Sequence, residues 1–559
     1  MATIPIATRL ASARRDIERR TPAAGVRARA ATALAHAVTA QTARRIGLAA
    51  LLLAASQLLS RLLGFVREAV IAGLVGRGRG TDAYNAAFQI PDILFYFLAG
   101  GALSIAFIPL YQRVKTERGD AAAARLLATV LGNMTAAAAV LSALLWIGAD
   151  VLVRYQFPRF ETAAQLLTAH LTRIVLPAQI FFIAGGIVRG ALMAEGRFGS
   201  QAVAPIVYNL SIIVGGLLGA GSIGIAGFAW GALIGAAAGS LGTALYEARG
   251  RIRIGFRIAP FDPDFGRYLV VALPLMLGVT LITVDEWYDR WFGGMLAVGS
   301  IATLAFARRL MQLPVGLVGQ AVATAALPAF SKLLEQGAKD ELDRLVLRTL
   351  QATTAIAVLL AVGTCALADP LVRAVYVHGQ FALSDAAPVA RALQLFCLGV
   401  PAWVVQTVAV RPFYARADMW RPMLLGSVFV AVAYPIYVVL GRAHGAPGLA
   451  LAGAVAITLN ALATLALARR LHGAPRLLPL FATLLRALCA SVPAAAIAWI
   501  AAHFAGARGG LAVTPRALLE LAIGGALYAV VALPLLFAMG DAPTREILGR
   551  LRRLRSLKR

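Results

Sequence analysis

Ser60-Arg61-Leu62-Leu63-Gly64-Phe65-Val66-Arg67-Glu68 sets two arginines and a glutamate inside an apolar run that extends from about residue 46 to 75. One arginine at the centre of a membrane helix costs roughly 2.5–3.5 kcal/mol on insertion scales, so neither of these faces lipid. They call for a polar, water-filled space within the membrane. A guanidinium fork matches phosphate oxygens in pairs, which makes an anionic guest the natural occupant.

The rest of the chain fits that setting. Of 559 residues, 60% are hydrophobic, which describes a polytopic membrane protein. A crossing needs about 20 apolar residues. Such stretches fall near 46–75, 82–110, 123–153, 164–192, 200–219, 223–245, 268–297, 300–330, 345–368, 386–410, 421–440, 446–468, 482–505 and 517–539, about fourteen in all. The expected fold is therefore an all-α polytopic membrane protein. The net charge of +27 is a topology signal. Residues 1–45 hold nine arginines against two acids, the connections after spans two, six and twelve are basic, and so is the tail 541–559. Both termini are expected in the cytoplasm, which an even number of spans requires. The arm 1–45 lacks the apolar core and cleavage site of a signal peptide. No aromatic-interleaved basic module accompanies the charge, so nucleic acid is not an expected partner.

The chain repeats itself at an offset of about 220 residues. Thr81-Asp82-Ala83-Tyr84 leads into Phe88-Gln89-Ile90-Pro91, and Ser300 to Phe306 leads into Met311-Gln312-Leu313-Pro314. Weak internal symmetry of this kind marks transporters made of two bundles around a central site. The expected organisation is two pseudo-symmetric six-helix lobes, 46–248 and 266–471, followed by two C-terminal helices within 482–540. Gly64, Pro91, Gly100, Pro177, Pro274, Pro314 and Pro401 interrupt the spans, as is tolerated where cavity water or neighbouring helices re-satisfy the backbone.

Arg61 and Arg67 lie six residues apart, about 240° around a helix, so a straight rod cannot aim both at one point. Gly64 between them is a place for a bend, with Glu68 or Asp92 as structural partners. Arg308-Arg309 is the second basic cluster, at the equivalent place in the other half. Adjacent residues diverge by about 100°, so one of the two enters the cavity, and Arg309 is the choice. Asp285-Glu286-Trp287-Tyr288-Asp289-Arg290 is the densest charge run in any span, with Asp285 and Asp289 on one helix face. Three readings stay open: neutralisation of Arg290 and Arg309, binding of a coupling cation or proton, or Mg²⁺ for an enzyme acting on polyprenyl phosphates. Cys365, Cys397 and Cys489 show no metal or disulfide spacing and are expected as small buried hydrophobes. The chain has no phosphate-binding GxxxxGK[ST], HExxH or GxSxG motif. No metal, cofactor or enzymatic activity is expected; transport or binding remains.

At these residues the chain resembles the MurJ/MviN lipid II flippases of the MOP exporter superfamily. The resemblance rests on Ser60 to Glu68, Thr81-Asp82-Ala83, Ala99 to Pro109, Gly196-Arg197-Phe198 with Ala204-Pro205, Gly299 to Ala302 through Arg309 to Pro314, and Pro412-Phe413-Tyr414-Ala415. It spans about residues 46–470; the last two spans match by hydropathy only. The resemblance implies a bacterial cytoplasmic-membrane flippase that turns the lipid-linked peptidoglycan precursor to the outer leaflet by alternating access. It implies that Arg61, Arg67 and Arg309 handle the diphosphate and that Asp82 contributes; from the residues themselves, Asp285, Asp289, Arg290 and Glu68 are expected as a charge or ion-coupling network. The implied partners are the polyprenyl-diphosphate precursor, membrane lipids and cell-wall synthesis proteins, with the last two helices accommodating the polyprenyl tail. Relatives often carry two arginines where this chain has Phe95-Tyr96 and a glutamate where it has Gly100. Those proposed to bind sodium use an aspartate resembling Asp289 with asparagine and aspartate from span eleven, and span eleven here, Pro422 to Leu440, has neither. The alternatives are a flippase for another polyprenyl-linked saccharide and a transport-inactive scaffold of the same fold.

Overall fold

Proline and glycine decide where the helices part. The computed structural model describes residues 53, 55–99, 106–278, 280–416, 418–507, 512–546, 548 and 549. The expected basic arm 1–45, Gly100 and most of the basic tail lie outside the described residues. The chain divides into two units at Leu59 and Ser60. The first is described only at 53 and 55–59, which are helical, and the second holds all the remaining helices.

Residues 60–75 form α1, helical straight through Gly64. The expected bend there is absent; the missing side chain instead opens α1 toward Asn209, whose Oδ1 lies 3.7 Å from where a Cβ would sit. The next expected span is two helices, α2 (Arg79–Ala87) and α3 (Gln89–Ala99), parted at Phe88. Pro91 accounts for the break, since it lacks an N–H and its ring crowds the carbonyl four residues earlier. A long helix, α4 (Ile108–Ile147), contains one non-helical residue, Gly119 at φ 80°, and continues as α5 (Ala149–Gln156). Leu176-Pro177 separates α6 (Thr162–Val175) from α7 (Ala178–Ala194). Then come α8 (Gly199–Gly219), α9 (Ala226–Gly235), a π-helical turn over Ala236–Gly242, and α10 (Thr243–Ala248).

The second half opens with α11 (Pro263–Leu277) and α12 (Leu281–Gly293), one expected span broken at 278–280. The carbonyl freed by this break, Gly278 O, accepts the Tyr96 hydroxyl at 2.6 Å. The span through Arg309 is likewise divided, into α13 (Ser300–Val315), a π-helical turn Gly316–Gln320 and α14 (Ala321–Glu335). The remainder is α15 (Lys339–Ala366), α16 (Ala368–Tyr376), α17 (Leu383–Ala409), α18 (Arg411–Ala415), α19 (Trp420–His472), α20 (Leu477–Ala507) and α21 (Val513–Met539). Within α19, Gly445 at φ 63° separates two arms that correspond to two expected spans.

Every regular element among the described residues is helical, as the composition required, and nine helical runs there are long and apolar enough to cross a membrane. The helices that carry Arg61, Asp82, Asp285 and Arg309 are not among the nine. They are shorter, broken or charged. The expected lobe boundary at 266 falls inside α11, whose Phe265, Tyr268, Ala272 and Met276 join the apolar cluster of α3–α7. By contrast, α12 packs its Leu281, Val284 and Tyr288 with residues of α13, α17 and α19. The last two helices share a third cluster with α15, through Ala355, Val358 and Leu359. Cys397 is buried and Cys365 partly so, but Cys489 is exposed on α20.

Close backbone approach between α8 and α9 depends on glycine. A Cβ at Gly231 would lie 2.5 Å from Ser211 O and 2.8 Å from Ile212 Cα. Gly231→Leu is therefore expected to cost about 1–3 kcal/mol by overpacking, seen as a lowered Tm in detergent. An unchanged Tm would show that the two helices separate freely.

Candidate functional site

The two halves meet through charge. Arg67 Nη2 donates to Glu68 Oε1 at 2.7 Å, and Arg309 Nη2 donates to the same oxygen at 3.2 Å. One carboxylate of α1 thus joins guanidinium groups from α1 and α13. Asn209 of α8 steadies the arrangement: its Oδ1 accepts from Arg67 Nη1 at 3.2 Å, and its Nδ2 donates to Ser60 O and Oγ. On the other side Arg309 Nη1 donates to Gln312 Oε1, and Gln312 Nε2 donates to Glu286 Oε1 at 3.0 Å. Glu68, Arg309, Gln312 and Glu286 border a polar cavity of about 70 Å³ that Asn85, Asp289, Arg290 and Arg308 also line. Arg67, beside Glu68, has its Nε buried and without an acceptor among the described residues.

Adjacent Arg308 does something else. Its guanidinium is buried and bonded to both Asp285 and Asp289 of α12. Tyr437 donates to Asp285 Oδ1 at 2.5 Å, and the Phe396 ring covers the guanidinium at 4.7 Å. The reading in which this run neutralises Arg290 and Arg309 is met in part: Glu286 stands near Arg290, while Asp285 and Asp289 pair with Arg308 instead. Both arginines line the cavity, but the 100° divergence of neighbours on a helix turns buried Arg308 onto the i,i+4 carboxylates and leaves Arg309 with its side chain 35% exposed. Arg290 pairs instead with Asp92 of α3, Nη1 to Oδ2 at 2.6 Å, and stands 3.9 Å from Glu286.

Asp82 and Arg61 sit apart from this cavity. Asp82 is buried, with Oδ2 accepting from Gly299 N at 2.5 Å and Oδ1 from Ala302 N at 2.7 Å. It caps the N-terminus of α13 from the other half of the chain, where a carboxylate also offsets the helix dipole. Nearby, Arg77 Nε donates to Asp385 Oδ1 at 2.9 Å and Gln380 N to Gly73 O at 2.8 Å. In this arrangement Asp82 therefore ties the halves together and has both oxygens engaged. Arg61 lies against the π-helical turn, its Nη1 1.1 Å from where a Cβ on Gly316 would sit, so a side chain there would displace the guanidinium. Phe95 and Tyr96 make aromatic contacts, Phe95 with Phe182 at 5.8 Å and Tyr96 with Trp287 at 5.7 Å.

The sequence model of the family described as "Lipid II flippase MurJ" matches residues 71–514. The chain belongs to the MurJ lipid II flippase family. A probable lipid II flippase MurJ of Rhizobium tropici is 31% identical over 419 residues, covering 72% of this chain and 77% of the relative. The lipid II flippase MurJ of Burkholderia cenocepacia is 27% identical, covering 72% and 80%. Among solved structures, a lipid II flippase MurJ in an inward closed conformation aligns with TM-score 0.72 at 21% identity, over 88% of this chain and 100% of that one. An inward-facing multidrug resistance MATE transporter of the MOP superfamily aligns with TM-score 0.63 at 16% identity, over 74% and 94%. These two likenesses speak for the fold.

Relatives proposed to bind sodium bring polar groups from span eleven; here that arm of α19 brings the Tyr437 phenol, and a fixed cation, Arg308, occupies the carboxylates. The linear sequence offered Arg308 as a candidate yet gave no sign of its partner, since Asp285 and Asp289 lie on a different helix. Asn209 and Gln312 were not anticipated at all. Their signal was present only as amides within apolar spans, a pattern shared with ordinary packing residues.

Arg308→Met is expected to destabilise the fold by about 3–5 kcal/mol, because it strands two buried carboxylates. Arg309→Met, at a partly exposed site, is expected to cost about 1 kcal/mol or less. Thermal unfolding of the two variants in one detergent checks the ordering. Equal loss would mean that Arg309 is structural too.

Proposed function

We propose that this protein carries a polyprenyl-diphosphate-linked peptidoglycan precursor, lipid II, from the inner to the outer leaflet of the bacterial cytoplasmic membrane by alternating access. The observation that carries the reading is the Glu68 carboxylate held between Arg67 and Arg309. A site that holds one anion between guanidinium groups of opposite halves is suited to exchanging that anion for a diphosphate oxygen. Both arginines keep donor capacity: Arg67 through its unbonded Nε, Arg309 through its exposure to the cavity. Arg61 lies apart from them, against Gly316, and would meet the same headgroup only once the halves part there.

An apolar groove of about 750 Å³ suits the tail. It lies among α15, α17, α19 and α20 and is walled by residues such as Val358, Leu398, Leu462, Leu480 and Leu484. An isoprenoid chain passing there from the bilayer stays in apolar surroundings, so the tail is held by packing and needs no polar contact. Fourteen crossings with the basic connections inward would leave both termini in the cytoplasm. The curated relatives are named as lipid II flippases, which supports the choice of this guest over other lipid-linked saccharides. Transport by this route needs no covalent chemistry, and the buried acids are engaged by Arg308 and Arg290 rather than free for catalysis. The energy source must act by favouring one state over the other, since a ligand bound equally by both shifts nothing.

Expression in a bacterium depleted of its own lipid II flippase tests the reading. Wild-type protein is expected to restore growth, and Arg67→Ala and Arg309→Ala to abolish it, each lowering affinity for the diphosphate lipid about tenfold to hundredfold. Arg79→Ala, whose partner Glu161 is exposed like itself, is expected to complement fully. No rescue by well-inserted wild-type protein, or full rescue by both alanine variants, would overturn the proposal.

A further inference from the structure

Between α10 and α11 the chain runs without helix for residues 249–262. One side of this strap is fixed against α4. Arg257 N donates to Ala128 O at 3.0 Å. Asn133 brackets Ala259, its Nδ2 donating to Ala259 O at 2.9 Å and its Oδ1 accepting from Ala259 N at 2.8 Å. Gly132 makes the approach possible, since a Cβ there would lie 2.2 Å from Arg257 O.

The other side is unlike an ordinary loop. Phe256, Ile258 and Phe261 are 61%, 63% and 97% exposed, and Ile254 is exposed beside them. Arg249, Arg251, Arg253 and Arg257 fall within the same nine residues, with no acid between 248 and 261. Of these four, only Arg257 forms an ion pair among the described residues, with Asp262 Oδ2 at 3.1 Å. Large apolar side chains interleaved with arginines are unfavourable in water and suit the boundary between lipid headgroups and acyl chains. The strap is held at that boundary from both ends, because it links two helices of the membrane bundle. Charge then selects the lipid: arginines with few acids favour an anionic leaflet.

We propose that residues 253–261 form an anchoring surface for anionic phospholipid of the inner leaflet. Phe256, Ile258 and Phe261 insert between the acyl chains, and Arg253 and Arg257 take lipid phosphates. This surface is separate from the cavity at Arg67 and Arg309, and it stands whether or not the proposed substrate is correct.

The experiment uses the full-length protein with Cys365, Cys397 and Cys489 replaced by alanine. Nitroxide is attached through Phe256→Cys, Ile258→Cys, Phe261→Cys or Arg253→Cys, in nanodiscs of phosphatidylcholine with or without phosphatidylglycerol. In discs containing phosphatidylglycerol, labels at 256, 258 and 261 are expected to collide with oxygen and be shielded from a water-soluble nickel reagent, with the reverse at 253. Combined Arg253→Gln and Arg257→Gln is expected to weaken the insertion by roughly fivefold per charge removed. Nickel access at all four positions in both discs would overturn the proposal. So would shielding from both reagents, the mark of a protein partner or second copy, and so would insertion indifferent to phosphatidylglycerol.

Discussion

One oxygen of Glu68 accepts from guanidinium groups that lie 242 residues apart in sequence, Arg67 and Arg309. In a bundle surrounded by lipid, a charge without a partner is costly, so the cavity exists only as a balanced set. Arg290 has Asp92, Arg308 has Asp285 and Asp289, and Glu68 serves the other two. This balance adds to an apolar cluster that itself runs across both halves, from Ile71 and Tyr84 to Phe306 and Tyr376. An incoming diphosphate offers the same donors a different acceptor, and the contact across the halves is what it would replace.

The helices around that set are broken because the set is polar. Phe88, residues 278–280 and the turn 316–320 all interrupt segments whose hydropathy promised continuous spans. Each break frees backbone groups that lipid could not satisfy, so it must sit against protein or cavity. Tyr96 on Gly278 O is such a repair, made by the first half for the second. The break at 278–280 also separates α11, which packs with the first half, from α12, which packs with the second.

Much of the fold was legible in the sequence. Apolar run lengths gave the helical architecture, and the repeated motifs gave a family that the comparisons bear out. Arg309 was separable from Arg308 because a helix turns 100° per residue. Other features needed partners that no linear pattern reveals. The role of Asp82 as a cap on α13, the Asn209 bracket and the Gln312 relay depend on which helices lie side by side. Gly64 looked like a hinge and is a contact; a glycine's sequence does not say whether its missing side chain serves a bend or a neighbour.

By itself, then, the sequence determined that this chain is a helical membrane protein with basic residues buried in its first and eighth spans, because hydropathy and charge are properties of residues taken in order. Tertiary structure decided which of those charges neutralise one another and which stay available. That choice depends on distances of a few ångströms between helices far apart in the chain, where the low dielectric makes pairing decisive. Arg308 and Arg309, neighbours in sequence, show the division: the first is closed off by two carboxylates, and the second faces the cavity.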